Sequence, residues 1–212
     1  MNFFHKIPLF IFKALCPCKI FGKENIPEGG AVIVSNHFHA LDCGYILLVH
    51  SKNTSILAKK EIFQNKLVGK ILLSYGGIPI DRDNPDMKSL MQAIKVLKKG
   101  NKLALFPEGT RNKTGTSDLQ PLKGGAMVFA VKAKVPIVPM MMDRKLGLFR
   151  KVNIIVGKPF ELKDFYDVKL DEEKIVELEK IVFEKMAEQQ NILFDIIKAK
   201  KNRRENIKDE SN

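Results

Sequence analysis

Short apolar runs and stretches of helical periodicity take turns along most of this chain. AVIV (31–34), SILA (55–58), IPI (78–80) and LALF (103–106) are brief, mostly apolar runs flanked by polar or turn-forming positions. That is the pattern of strands buried on both faces. EIFQNKLVGKILLSY (61–75) follows the second run with a helical pattern. Asn84-Pro85 opens another helix, with asparagine as cap and proline in the first position. Met87, Leu90, Met91, Ile94 and Leu97 form its apolar stripe and Gly100 stops it. GGAMVFAVKAK (124–134) is helical. VPIVPMMM (135–142) is extended, because Pro136 and Pro139 cannot sit inside a helix. VNIIVGKPF (152–160) reads as a further strand. Residues 171–200 form one long helical pattern, and Asp171, Glu172 and Glu173 suit the positive end of its dipole.

Strand–helix alternation predicts an α/β fold: a single domain with a mostly parallel sheet flanked by helices, ending in a long C-terminal helix. Ahead of it lies FFHKIPLFIFKAL (3–15), where Phe3, Phe4, Ile7, Phe10, Ile11 and Leu15 recur at helical spacing. The run falls short of the ~20 apolar residues that span a bilayer. Either the helix packs on the protein's own core or it lies in a membrane interface. KENIPEGG (23–30) marks a boundary after it. The expected organisation is an N-terminal amphipathic membrane-association segment (1–22), a core (23–165), a C-terminal helical part of the same domain (166–204) and a fraying tail (205–212).

Charge bears on both halves of this picture. With 36 Lys and Arg against 24 Asp and Glu, the net charge is +12. That favours an anionic partner: nucleic acid, a phosphorylated ligand or an acidic membrane surface. Each cation near an anionic leaflet adds ~1 kcal/mol, which tilts the first helix towards the membrane. Nucleic acid fits poorly, since phenylalanines sit in apolar runs and lysines are scattered over helices rather than interleaved with exposed aromatics. Cys16, Cys18 and Cys43 make no disulfide framework, and Cys16-Pro17-Cys18 lacks the second ligand pair of a zinc site.

Ligands of parallel sheets gather at the carboxyl ends of strands. Three polar clusters follow strands here: SNHFHALD (35–42), DRDN (81–84) and PEGTR (107–111). In one continuous helix His37 and Asp42 would lie ~140° apart. They meet only if His37 precedes a helix whose first turns hold Asp42. His39 and Asp42 have neighbour spacing on a helix, so periodicity leaves the pairing open. A metal site would need a third ligand. No Gly-x-Ser-x-Gly elbow occurs, and Cys43 has no evident activating base. A histidine base without a protein nucleophile suits a substrate that brings its own hydroxyl. Gly109 permits close backbone approach, Thr110 and Arg111 offer donors, and Arg82 and Lys59 add cations. Together these suit a phosphate-bearing substrate.

His37-x4-Asp42 resembles the HX4D motif of the glycerolipid acyltransferases. GGIPIDR (76–82), FPEGTR (106–111) and VPIVPM (135–140) resemble their second, third and fourth blocks, in family order. The resemblance runs over roughly residues 25–160 and is strongest to small bacterial members. It implies transfer of an acyl group from an acyl thioester, acyl-CoA or acyl-carrier protein, to the sn-2 hydroxyl of 1-acyl-glycerol 3-phosphate (lysophosphatidate), forming phosphatidate. It makes His37 the general base and Asp42 its orienting partner. It puts Arg82, Glu108, Gly109, Thr110, Arg111 and Lys59 at the acceptor, with no metal and no cofactor. It further implies an N-terminal membrane-binding segment; with the charge of +12 and the sparse cysteines, the expectation is a peripheral enzyme on an anionic membrane, at its cytoplasmic face, with no nucleic-acid partner. The alternatives are a family member with another anionic acceptor (glycerol 3-phosphate, another lysophospholipid or lyso-ornithine lipid) and a catalytically silent lipid-binding module.

Overall fold

The structure, a computed structural model, describes residues 3–81, 86–114, 116–123 and 125–209. Its strands are β1 (Cys18–Phe21), β2 (Ala31–Ser35), β3 (Thr54–Lys59), β4 (Ile78–Ile80), β5 (Lys102–Leu105), β6 (Ile137–Met142) and β7 (Val152–Val156). They form a seven-stranded sheet in the order β1-β7-β6-β2-β5-β3-β4. From β6 to β4 every neighbouring pair is parallel; β7 runs antiparallel to β6 and parallel to β1. The helices are α1 (Phe3–Leu15), α2 (Asp42–Val49), α3 (Lys66–Ser74), α4 (Met87–Lys98), α5 (Gly125–Ala133) and α6 (Glu172–Asp209).

The uninterrupted apolar character of AVIV has a direct cause. Val32 and Val34 pack in one core with Leu97 of α4, Met127 of α5 and Met186 of α6. Ala31 and Ile33 face the opposite core with Tyr45 and Ile46 of α2, and Leu9 and Phe12 of α1 pack against it. Both faces of the sheet are covered, so neither set of alternate positions is free to be polar. Asn36 extends β2 by one polar step. Its amide donates to the Met142 carbonyl and accepts from the Met142 N–H, both at 2.9 Å, satisfying a buried backbone pair beyond the last ladder bond.

Several elements depart from the sequence expectation. The 61–75 pattern divides into a 3-10 turn over Lys60–Gln64 and helix α3. Asn65 causes the break by leaving helical geometry and accepting from the N–H groups of Leu67 and Val68. Asn84 and Pro85 lie outside the described residues, and α4 begins later, with Asp86 as cap accepting from the Ser89 N–H at 2.7 Å. β7 stops at Val156, and Phe160 returns to pair with Ile137. Residues 18–21, expected within the membrane segment, form a strand of the sheet instead. Helix α6 continues to Asp209, past the expected start of fraying at 205, with Lys201 and Glu205 paired one turn apart.

Helix α1 meets the body through its inner side. The Phe12 ring packs edge-on against Tyr45 at 5.1 Å between centroids. A Cβ on Gly44 would lie 2.6–2.8 Å from that same ring, so glycine is what lets the two helices touch. The outer side leaves Phe10, Ile11 and Leu15 exposed.

Candidate active site

β2 and β5 are hydrogen-bonded parallel neighbours, so the loops leaving Ser35 and Leu105 emerge side by side. The first carries His37 and runs into α2. Asp42 opens that helix, where a carboxylate is favoured by the dipole. Its side chain is fully buried and turns back on the preceding loop. Asp42 Oδ2 lies 3.0 Å from His37 Nδ1 and also accepts from the Phe38 and His39 N–H groups, at 2.7 and 2.6 Å. The sequence left two histidines as partners for Asp42. The loop delivers the ring of His37 and only the backbone of His39, whose own Nδ1 accepts from the Leu41 N–H. A carboxylate can only accept, so Nδ1 of His37 carries the proton and Nε2 is left with its lone pair. The His37 side chain keeps 15% of its surface exposed, enough for one ring edge to meet a ligand.

The loop after β5 clasps the His37 loop at three points. Glu108 Oε1 accepts from the His37 N–H at 2.8 Å. The Asn112 N–H donates to the His37 carbonyl at 2.7 Å. The Phe106 ring stacks on the imidazole, 4.0 Å between centroids and 14° from parallel. Phe106 was expected as the last residue of a strand; it stands just beyond β5, which frees its ring for this contact. Glu108 is buried, and its second oxygen accepts from the Gln120 N–H at 3.3 Å. Burial pushes its carboxyl up to about 7 and the Asp42 charge adds to the rise, against the lowering effect of the two N–H donors. Sequence reasoning put Glu108 at the acceptor; here both of its oxygens are engaged within the chain.

The remaining expected residues that the structure describes lie around the same edge of the sheet. Gly109 adopts φ 71°, a left-handed conformation that favours glycine, and sits against the Lys123 side chain. Thr110 and Arg111 are exposed and directly precede Asn112 in the clasp. Lys59 ends β3 and pairs with Glu61 at 3.5 Å. Lys60 pairs with Asp81 after β4. Arg82 lies outside the described residues. Cys43 follows Asp42, and burial together with that carboxylate pushes its thiol up to about 11, far from the thiolate a nucleophile needs. Among the described residues no three His, Cys, Asp or Glu side chains converge as a metal site.

A second feature was not anticipated from the sequence. A cavity of about 310 Å³ opens beside this loop pair, lined by Phe38, Asn112, Lys113, Arg144, Lys145 and Arg150 among others. Its only sequence signal is the basic run RKLGLFRK (144–151), which no motif singles out.

The family model described as Acyltransferase matches residues 18–143, more than half of the chain. A 1-acyl-sn-glycerol-3-phosphate acyltransferase of Bacillus subtilis is 36% identical over 156 residues, covering 69% of this chain and 75% of that protein. Proteins of the same description from Helicobacter pylori and Cocos nucifera are 38% and 36% identical. The matched regions cover 63% and 75% of this chain, and about half of each relative (54% and 53%). The crystal structure of the 1-acyl-sn-glycerophosphate acyltransferase PlsC from Thermotoga maritima superposes with a TM-score of 0.61, over 87% of this chain and 76% of that one. At 24% identity that likeness concerns the fold.

Proposed function

This chain belongs to the acyltransferase family, and from that premise we propose that it transfers a fatty acyl group from an acyl thioester to the sn-2 hydroxyl of 1-acyl-glycerol 3-phosphate, forming phosphatidate. The observation that carries the reading is the His37–Asp42 contact at 3.0 Å, with the same carboxylate oxygen fixing two backbone N–H groups of the loop.

In this reaction Nε2 of His37 takes the proton of the acceptor hydroxyl as its oxygen attacks the thioester carbonyl. The buried Asp42 carboxylate fixes the tautomer and stabilises the imidazolium that forms. The tetrahedral oxyanion collapses, the carbon–sulfur bond breaks, and the imidazolium returns its proton to the departing thiolate. The chain contributes no covalent acyl carrier, consistent with the raised Cys43 thiol. Arg111 and Thr110 bind the acceptor phosphate, with Arg82 and Lys59 as further cations and Gly109 giving the backbone room to approach. Glu108 acts one step back, as a positioning residue that holds the His37 backbone. The donor is acyl-CoA or acyl-carrier protein, both anionic and matched to a chain of charge +12.

The enzyme works as a peripheral protein on an anionic membrane, at the cytoplasmic face where acyl thioesters occur. The exposed Phe10, Ile11 and Leu15 of α1 support this, as does the absence of any acidic residue before Glu24. No described helix is long and apolar enough to cross a membrane.

The deciding experiment follows thiol release from palmitoyl-CoA with lysophosphatidate in mixed micelles, for wild type and His37→Ala. Acceptor-dependent release that vanishes in the variant establishes the reaction and its base. Release that survives removes His37 from the role.

A further inference from the structure

The loop joining β6 to β7 has an unusual tip. Leu146 turns inward against the core that holds Tyr45, while Leu148 and Phe149 are 67% and 74% exposed. Phe149 holds φ 57°, a left-handed conformation rarely adopted by a bulky side chain. The conformation is fixed by its N–H, which donates to the Leu15 carbonyl at 2.7 Å, and by the turn closed between Arg150 N–H and the Gly147 carbonyl. The fold thus tolerates local strain to hold a phenylalanine in water, beside the end of α1. Pairing of β1 with β7 keeps the two segments together.

Charge along the two segments at this edge is positive. The chain carries no Asp or Glu from residue 1 to 23, nor from 144 to 160. Lys145 and Arg150 flank the exposed tip and line the 310 Å³ cavity together with Lys113 and Arg144. Arg144 is paired with Asp143; among the described residues Lys113, Lys145 and Arg150 form no ion pair. An apolar tip above a basic cavity matches one partner, a bilayer containing anionic phospholipid. Acyl chains take the tip and the phosphate meets the cations.

We propose that the 144–151 loop is a second membrane contact, in which Leu148 and Phe149 enter the bilayer and the basic cavity at their base receives the phosphate of an anionic phospholipid. It sets the molecule on the membrane through two feet, α1 and this loop. The His37 loop then faces the surface from a fixed side, since Phe38 lines the same cavity. The inference stands apart from acyl transfer and from the membrane contact of α1, and it is tested separately from both.

The chain has no tryptophan, so Phe149→Trp and Phe10→Trp are single-site reporters. With vesicles of phosphatidylglycerol and phosphatidylcholine, the emission of F149W is expected to shift to the blue and to be quenched by lipids brominated on their acyl chains. Emission that stays that of a water-exposed indole while F10W shifts overturns the proposal and leaves α1 as the sole foot. Lys145→Glu combined with Arg150→Glu, both at exposed positions, is expected to weaken partition onto phosphatidylglycerol vesicles about tenfold or more and to leave pure phosphatidylcholine unaffected. Unchanged partition onto phosphatidylglycerol overturns the assignment of the cavity.

Discussion

The backbone N–H of His37 donates to Oε1 of Glu108 at 2.8 Å, a bond that joins residues 71 positions apart. Loop geometry at His37 is therefore set by two carboxylates, Asp42 on the ring and Glu108 on the main chain. The second is invisible to a reading that treats every charged motif residue as a substrate contact.

Replacing Glu108 by alanine leaves two backbone donors without their acceptor, so His37 drifts from its working position. Steady-state kinetics should show kcat reduced by about 10²-fold, with KM for lysophosphatidate little changed. Glu108→Gln should recover part of the loss, because an amide oxygen still accepts from the His37 N–H. A rise in KM at constant kcat would instead mark Glu108 as an acceptor contact.

The raised Glu108 carboxyl also has a thermodynamic signature. Its value of about 7 in the folded protein lies above the ordinary 4.5, so the folded state keeps a proton that the unfolded state has released. The contribution is fully present below pH ~4.5 and is lost as pH rises to ~7. The size is on the order of 3 kcal/mol. The difference in unfolding free energy between wild type and Glu108→Gln, measured from pH 4.5 to 8, should fall with rising pH and flatten above 7. A difference independent of pH would contradict the assignment.

Asp42→Asn keeps the shape of the side chain but removes its negative charge. The Phe38 and His39 N–H groups hold the amide oxygen where Oδ2 stood, so the tautomer is kept and the imidazolium that forms loses its counter-charge. Turnover should fall by ~10³- to 10⁴-fold, as orienting carboxylates of catalytic histidines do in general. The check is a single-turnover assay alongside thermal unfolding, so that a lost fold is separated from a lost base.

Gly44→Ala should loosen α1 from the body. A methyl group there would lie within 3 Å of the Phe12 ring, too close unless the helix moves. We expect a loss of about 1–3 kcal/mol in stability and faster proteolysis within residues 3–15. Unchanged cleavage would mean that Phe12 simply rotates away.

Much of the fold was legible because both faces of a parallel sheet are covered. AVIV, SILA, IPI and LALF each stand out as an apolar run, and each falls within or against an observed strand. CKIF (18–21) was missed for a local reason: next to Cys16-Pro17 and the phenylalanine-rich helix, a four-residue edge strand has no pattern of its own. The 61–75 stretch was read as one helix because its apolar spacing continues through Asn65, whose capping role depends on the chain bending there. At the site, the motif residues could be named in advance, and so could the condition under which His37 meets Asp42.

Local sequence thus determined most of the strands and helices, that the sheet is mostly parallel, and that the His37, Asp42 and Glu108 segments follow strand ends. These follow from burial and backbone preference, and both act over a few residues. The tertiary structure alone decided that His37 rather than His39 presents its ring to Asp42, that Glu108 grips a backbone N–H in the neighbouring loop, and that Phe149 stands in water beside α1. Each of these depends on which strands lie side by side and on the path of a loop between them. Hydrogen bonds over such distances in the chain are set by the order of strands in the sheet, and no periodicity encodes that order.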